Sequence, residues 1–145
     1  MRIVVGSDHG GFELKEQVKN WLKSAGHGVV DVGTSGPESV DYTDFGAQTA
    51  RMVTAGEVDR GILVCGTGIG MSITANKIKG IRAALCTDAY MAKMSRAHND
   101  ANVLVLGARV IGAGVAEDIV RVWISTAFEG GRHERRLDKI ARLEC

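Results

Sequence analysis

With 145 residues, 45% of them hydrophobic, the chain has the length and apolar content of one folded domain. Its formal charge of +1 excludes a global electrostatic footprint for nucleic acid. No apolar run approaches the roughly 18 residues of a membrane span, and the three cysteines, Cys65, Cys86 and Cys145, are too scattered for a disulfide framework or a metal-ligand motif. Free thiols and the absence of a signal-peptide core after Met1 predict a cytoplasmic protein.

In chain order, Ile3–Val5 reads as a first strand ending in the glycine-rich turn 6–11. Residues 12–25 place Phe12, Leu14, Val18, Trp21 and Leu22 at helical spacing, and Gly26 sits where a helix ends on glycine. Val29–Val32 is a second strand, followed by a polar loop over 34–42 that holds the only proline, Pro37. A second helix is predicted over 44–55, a third strand over 62–65, a helix over 71–77 and a fourth strand over 81–86. A short helix over 89–96, a fifth strand over 103–106 and a long helix over 110–128 complete the pattern. Strands alternating with helices predict an α/β domain over 1–145. Its expected form is a three-layer α/β/α sandwich around a five-stranded parallel, Rossmann-like sheet.

In such sheets ligands bind beyond the carboxyl ends of the strands. The residues after those ends are Asp8-His9, Gly33-Thr34, Cys65–Gly70, Thr87-Asp88 and Gly107–Arg109, and they are expected to share one rim. Cys65 delivers a thiol onto the loop Gly66-Thr67-Gly68-Ile69-Gly70, just ahead of a predicted helix. Glycines let several N–H groups point into one concavity, and a helix N-terminus adds positive potential. The loop lacks the lysine of a P-loop and the spacing of a dinucleotide fingerprint, so by itself it fits many anions. Cys86 has no such loop and reads as structural.

Asp8 reads either as a helix cap or, beside His9, as a polar substrate contact. His98 has the imidazole that proton transfer near neutral pH requires. In the tail, Gly130-Gly131-Arg132-His133-Glu134-Arg135-Arg136, Arg132 and Arg136 share one face if Arg132 opens a helix, a fork suited to a phosphate.

Taken together, Gly6-Ser7-Asp8-His9-Gly10-Gly11, Val40-Asp41-Tyr42, Cys65–Ser72, Ala75-Asn76-Lys77, Arg96–Asn102 and Gly130–His133 resemble the type B ribose-5-phosphate isomerases. That family also holds galactose-6-phosphate and allose-6-phosphate isomerases. The resemblance implies an aldose–ketose isomerisation of a phosphorylated sugar through an enediolate, with no cofactor or metal, in the non-oxidative pentose phosphate branch. It implies Cys65 as the base, Thr67 as the handler of hydroxyl protons, and Asp8 and His98 as the ring-opening pair. Amides around Gly66, Gly68, Ile69 and Gly70 would stabilise the enediolate, and Tyr42 and Asn99 would contact the sugar. His9, Arg132 and Arg136 would hold the phosphate, with Arg109 a further candidate.

One branch of the family carries a glutamate base just after this loop; Met71 stands there and cannot take a proton. The resemblance further implies a homodimer, or a tetramer, whose sites are shared between subunits. His98 and Asn99 would then come from the partner, and the segment from about 130 to 145 would pack at the interface. Two competing readings remain at this level: a hexose-6-phosphate isomerase, and a non-catalytic sugar-phosphate sensor.

Overall fold

The structure, a computed structural model, describes residues 1–144. The terminal Cys145 lies outside the described residues.

Five strands form one sheet: β1 (Arg2–Ser7), β2 (Gly28–Asp31), β3 (Arg60–Cys65), β4 (Ala83–Leu85) and β5 (Val103–Gly107). Every pairing is parallel and the strand order is β2-β1-β3-β5-β4. Six helices connect or follow them: α1 (Phe12–Ser24), α2 (Tyr42–Thr54), α3 (Ile69–Asn76), α4 (Ala89–Ala97), α5 (Ala113–Ser125) and α6 (Arg132–Ala141). No described helix is long and apolar enough to cross a membrane.

The strands read as continuous apolar runs because both sheet faces are covered. Ile62 and Val64 of β3 join Leu14, Val18, Ile119 and Trp123 in the core under α1, α4 and α5. Their alternates Leu63 and Cys65 point to the other face and pack with Ala50, Met71 and Ala75 of α2 and α3. The three-layer α/β/α architecture is therefore as expected. Met71 is fully buried in this second core.

Some boundaries differ from the sequence reading, each for a local reason. The helix expected over 110–128 is confined to α5, because Gly112 is extended at ψ 167° and Thr126 leaves the helix at ψ 125°. Tyr42 opens α2 rather than ending a loop, with extended Asp41 at the cap position. α3 starts at Ile69, two residues early, because Gly68 takes the left-handed conformation at φ 82°. Gly26 ends α1 as expected, with φ 87°.

The chain leaves β1 towards β2 and leaves β3 in the opposite direction, across β5 to β4. The carboxyl ends of β1 and β3 are thus neighbours at the point where the winding reverses, where α/β sheets open a crevice. Asp8 follows one of these ends and Cys65 closes the other.

Candidate active site

That crevice is a cavity of about 440 Å³ lined by Asp8, Tyr42, Cys65, Gly66, Thr67, Ile69, Gly70, Ile73 and Arg109. A second cavity of about 350 Å³ adjoins it and contains His9, Gly10 and Pro37; Arg109 lines both. Of the five strand ends expected on one rim, three line this pair of cavities. Gly33-Thr34 and Thr87-Asp88 do not, because β2 and β4 are the outermost strands. Asp88 instead caps α4 by accepting the Met91 N–H at 2.8 Å.

The groups in the cavities are held by backbone amides. Gly68 N–H donates to Cys65 Sγ at 3.2 Å, and Ile69 N–H donates to Thr67 Oγ1 at 3.2 Å. Asp8 Oδ1 accepts the Gly11 N–H at 3.1 Å, so Asp8 is both a cap and a cavity residue. Val40 N–H donates to His9 Nδ1 at 3.2 Å, which leaves the proton of a neutral ring on Nε2. The Ile69 amide being committed to Thr67, the Gly70 and Met71 amides remain at the first turn of α3 without intrahelical acceptors. With the helix dipole they favour negative charge in the cavity.

Two glycines make this arrangement possible. A Cβ at Gly68 would lie 3.3 Å from the Leu106 carbonyl oxygen, on a residue already in a left-handed conformation. A Cβ at Gly70 would fall 2.7 Å from the Tyr42 ring, so the ring rests on bare backbone. Arg109 extends over Gly66 and donates its backbone N–H to the Gly66 carbonyl at 2.9 Å.

Cys86 offers the opposite environment. It is 1% exposed, and burial pushes its thiol up to about 11. It is a neutral core residue, as the sequence reading held.

His98, Asn99, Arg132 and Arg136 are not in the cavity. His98 caps the C-terminal end of α4, ahead of β5, and Arg82 donates to the Asn99 carbonyl at 3.0 Å. Both lie at the amino end of the sheet, the opposite end from Cys65. Arg132 does open a helix, α6, and His133 in its first turn stacks on His98 with ring centroids 4.1 Å apart. Arg132 and Arg136 therefore also belong to the amino end. Partial desolvation and the neighbouring His98 and Arg132 lower the pKa of His133 from its ordinary value. Sequence reasoning missed His133 and Glu129 as neighbours of His98; the only local signal was their spacing of four residues.

The family described as Ribose/Galactose Isomerase matches residues 3–140. The chain belongs to the ribose/galactose isomerase family. It is 48% identical to ribose-5-phosphate isomerase B of Escherichia coli, over 99% of this chain and 96% of that one. A solved structure of Clostridium thermocellum ribose-5-phosphate isomerase B is 57% identical and superposes with a TM-score of 0.98, over 99% and 97% of the two chains. A D-erythrulose-4-phosphate isomerase from Pectobacterium atrosepticum is 41% identical, over 99% and 95%. The isomerase expectation drawn from the motifs holds at the level of the ribose/galactose isomerase family.

Proposed function

We propose that this chain interconverts D-ribose 5-phosphate and D-ribulose 5-phosphate through an enediolate with Cys65 as the base. The observation that carries the reading is the placement of Cys65 Sγ. It lies on the crevice between β1 and β3, with the Gly68 N–H directed at the sulfur at 3.2 Å. An N–H at that distance supports negative charge on sulfur, and a thiolate is the form able to take a proton.

In this reading Asp8 and His98 open the furanose. The hydroxyl proton on C1 is removed, the bond from C1 to the ring oxygen breaks, and that oxygen is protonated. Cys65 then takes the proton from C2; the C–H electrons form the C1–C2 double bond and charge moves onto the C1 oxygen. The α3 amides stabilise that oxyanion because they are aimed before the charge appears. Thr67 moves a proton from the C2 oxygen to the C1 oxygen. Its hydroxyl hydrogen is free for this, since its oxygen already accepts from Ile69. The Cys65 thiol returns its proton to C1 and the ketose results. Tyr42 and Asn99 contact the sugar, while His9, Arg109, Arg132 and Arg136 neutralise the phosphate. The proposed role is a step of the non-oxidative pentose phosphate branch.

A homodimer with shared sites belongs to the same proposal. One chain keeps His98, Asn99, Arg132 and Arg136 at the end of the sheet remote from its own Cys65, and in this reading a second copy supplies them. Exposed apolar groups support this: Ile69 and Ile73 beside the cavity are 54% and 58% exposed, and Leu143 after α6 is 80% exposed. Burying such groups against a second copy would remove apolar surface from water.

Hexose 6-phosphates are the second reading, since one further carbon asks only for a roomier or repositioned phosphate pocket. Turnover of ribose 5-phosphate, allose 6-phosphate and galactose 6-phosphate under one set of conditions decides between them. Ribose 5-phosphate is expected to give the highest kcat/KM, and a hexose phosphate in first place would replace the substrate assignment.

A further inference from the structure

The turn that carries His98 and Asn99 is bent at a residue that side chains disfavour. His98 ends α4, and the chain reverses towards β5 through Asp100, which takes the left-handed conformation at φ 44°. It is the only non-glycine residue with positive φ among the described residues. Glycine adopts that conformation without strain, as Gly26, Gly56 and Gly68 do elsewhere in the chain. What aspartate brings to position 100, and glycine cannot, is a carboxylate.

Two arginines from different parts of the chain close on it. Arg96 of α4 donates from Nη1 to Asp100 Oδ1 at 2.9 Å and to the Ala101 carbonyl at 2.7 Å. Arg82, just ahead of β4, donates from Nη2 to Asp100 Oδ2 at 3.3 Å and to the Asp100 carbonyl at 2.9 Å. Its Nε reaches the Asn99 carbonyl at 3.0 Å. The turn's own amides complete the clamp: Asp100 N–H donates to the Arg96 carbonyl at 3.2 Å and Ala101 N–H to the Ser95 carbonyl at 2.9 Å. Arg96 is 5% exposed, and its Nε donates at 3.3 Å to the Thr126 carbonyl, on the connection towards α6. A buried guanidinium left without its counter-charge is strongly unfavourable. Removing the carboxylate would leave Arg96 with carbonyl partners alone, and both arginines would be free to shift and take the turn with them.

We propose that Asp100 is a positioning residue for the isomerisation: shared between Arg82 and Arg96, its carboxylate fixes the turn over 98–101 and so sets where His98 and Asn99 point. The proposal rests on the functional reading above, in which His98 and Asn99 serve the sugar. Asp100 acts through the two arginines and the backbone, not on the sugar itself. The His98 ring, which stacks on His133 with centroids 4.1 Å apart, is the moving part that reports this. A misplacement of about 1 Å in a reacting group can cost about 100-fold in rate, so a modest shift of the turn is enough to be felt.

The test compares two variants of the full chain. Asp100→Gly removes the carboxylate while relaxing the backbone, and Asp100→Asn keeps the shape and the tolerance of left-handed φ while removing the charge. Circular dichroism fixes the folded fraction to which each rate is referred. The placement of His98 is read separately from turnover, by NMR of the protein labelled with ¹³C-histidine, the signal being assigned through its loss in His98→Asn. In Asp100→Gly, kcat is expected to fall about 10- to 100-fold with KM changed much less. The His98 signal should move towards that of an unstacked imidazole, and Asp100→Asn should show both effects to a smaller degree. If Asp100 only shaped the turn, glycine would serve at least as well, so wild-type kcat with an unmoved signal in Asp100→Gly overturns the proposal. A lower kcat with an unmoved signal overturns it too, because Asp100 would then not act through His98. A moved signal with wild-type kcat upholds the placement of His98 by Asp100 and overturns instead the assignment of His98 to the sugar.

Discussion

At the carboxyl end of the sheet the functional side chains are held by backbone amides; at the amino end they are held by one another. Asp8, His9, Cys65 and Thr67 each accept a main-chain N–H, from Gly11, Val40, Gly68 and Ile69. His98, Glu129 and His133 instead meet side chain to side chain, and Arg82 and Arg96 converge on Asp100. Amide-held groups are fixed by the fold itself and need little reorganisation when charge develops, as proton abstraction requires. Side-chain clusters are set by packing between α4, α5 and α6, and they respond to what binds them. In the functional proposal, each active site joins one end of each kind.

The sharpest way to break that picture is Cys65→Ala. Loss of the base is expected to lower kcat by about 10³-fold with KM little changed. Wild-type-like turnover in that variant would remove the proposed mechanism. The pairing of ends is tested by mixing Cys65→Ala with His98→Asn under conditions that exchange subunits. Each variant alone is expected to be inactive. With sites shared across a two-fold interface, half the dimers are hybrids carrying one intact site, so about a quarter of wild-type activity should return. No recovery in verified hybrids would mean that the two ends do not meet.

A smaller effect comes from Arg136→Ala. Losing one charge-assisted phosphate contact should raise KM about 10- to 100-fold while kcat stays within a few-fold. A fall in kcat alone would move Arg136 out of phosphate binding. Gly68→Ala probes the amide-held end directly. Forcing a Cβ into the left-handed conformation at φ 82° should cost about 1–2 kcal/mol in chemical denaturation. An unchanged midpoint would show that the loop can relax.

The smallest effect concerns the loop that delivers Val40 to His9. Buried Lys15 donates to both Asp31 oxygens, at 2.9 and 2.8 Å, and to the Thr34 carbonyl at 2.9 Å. Burial alone would raise the Asp31 pKa, but Lys15, Lys19 and the Gly33 N–H outweigh it and hold the carboxyl below its ordinary value. A depressed acid contributes stability above its unfolded pKa, about 3.9, and loses it as pH falls through the folded value. The stability gap between wild type and Asp31→Asn should therefore be full near neutrality and close below about pH 4. A gap that persists in acid would contradict this.

The same contrast explains what could be read from the sequence. Cys65 to Gly68, Thr67 to Ile69 and Asp8 to Gly11 are spacings of three, two and three residues, so strand, glycine and helix signals in one window place those groups. The parallel sheet was legible for the same reason, since its strands are continuous apolar runs. The meeting of His98 with His133 crosses 35 positions and depends on where α5 ends. The sequence misplaces that end because Ala127 and Phe128 continue the apolar spacing of Trp123 and Ile124, although Thr126 leaves the helix at ψ 125°. Nor did spacing show which rim loops reach the crevice, since strand order is a long-range property.

The contact between Tyr42 and Gly70 ties the drift of two positions together. Any residue larger than glycine at 70 must displace the ring, and any loss of the ring at 42 frees space that a side chain at 70 can fill. Among descendants of this chain, the two positions are therefore expected to change as a pair, with intermediate single replacements the hardest to pass through.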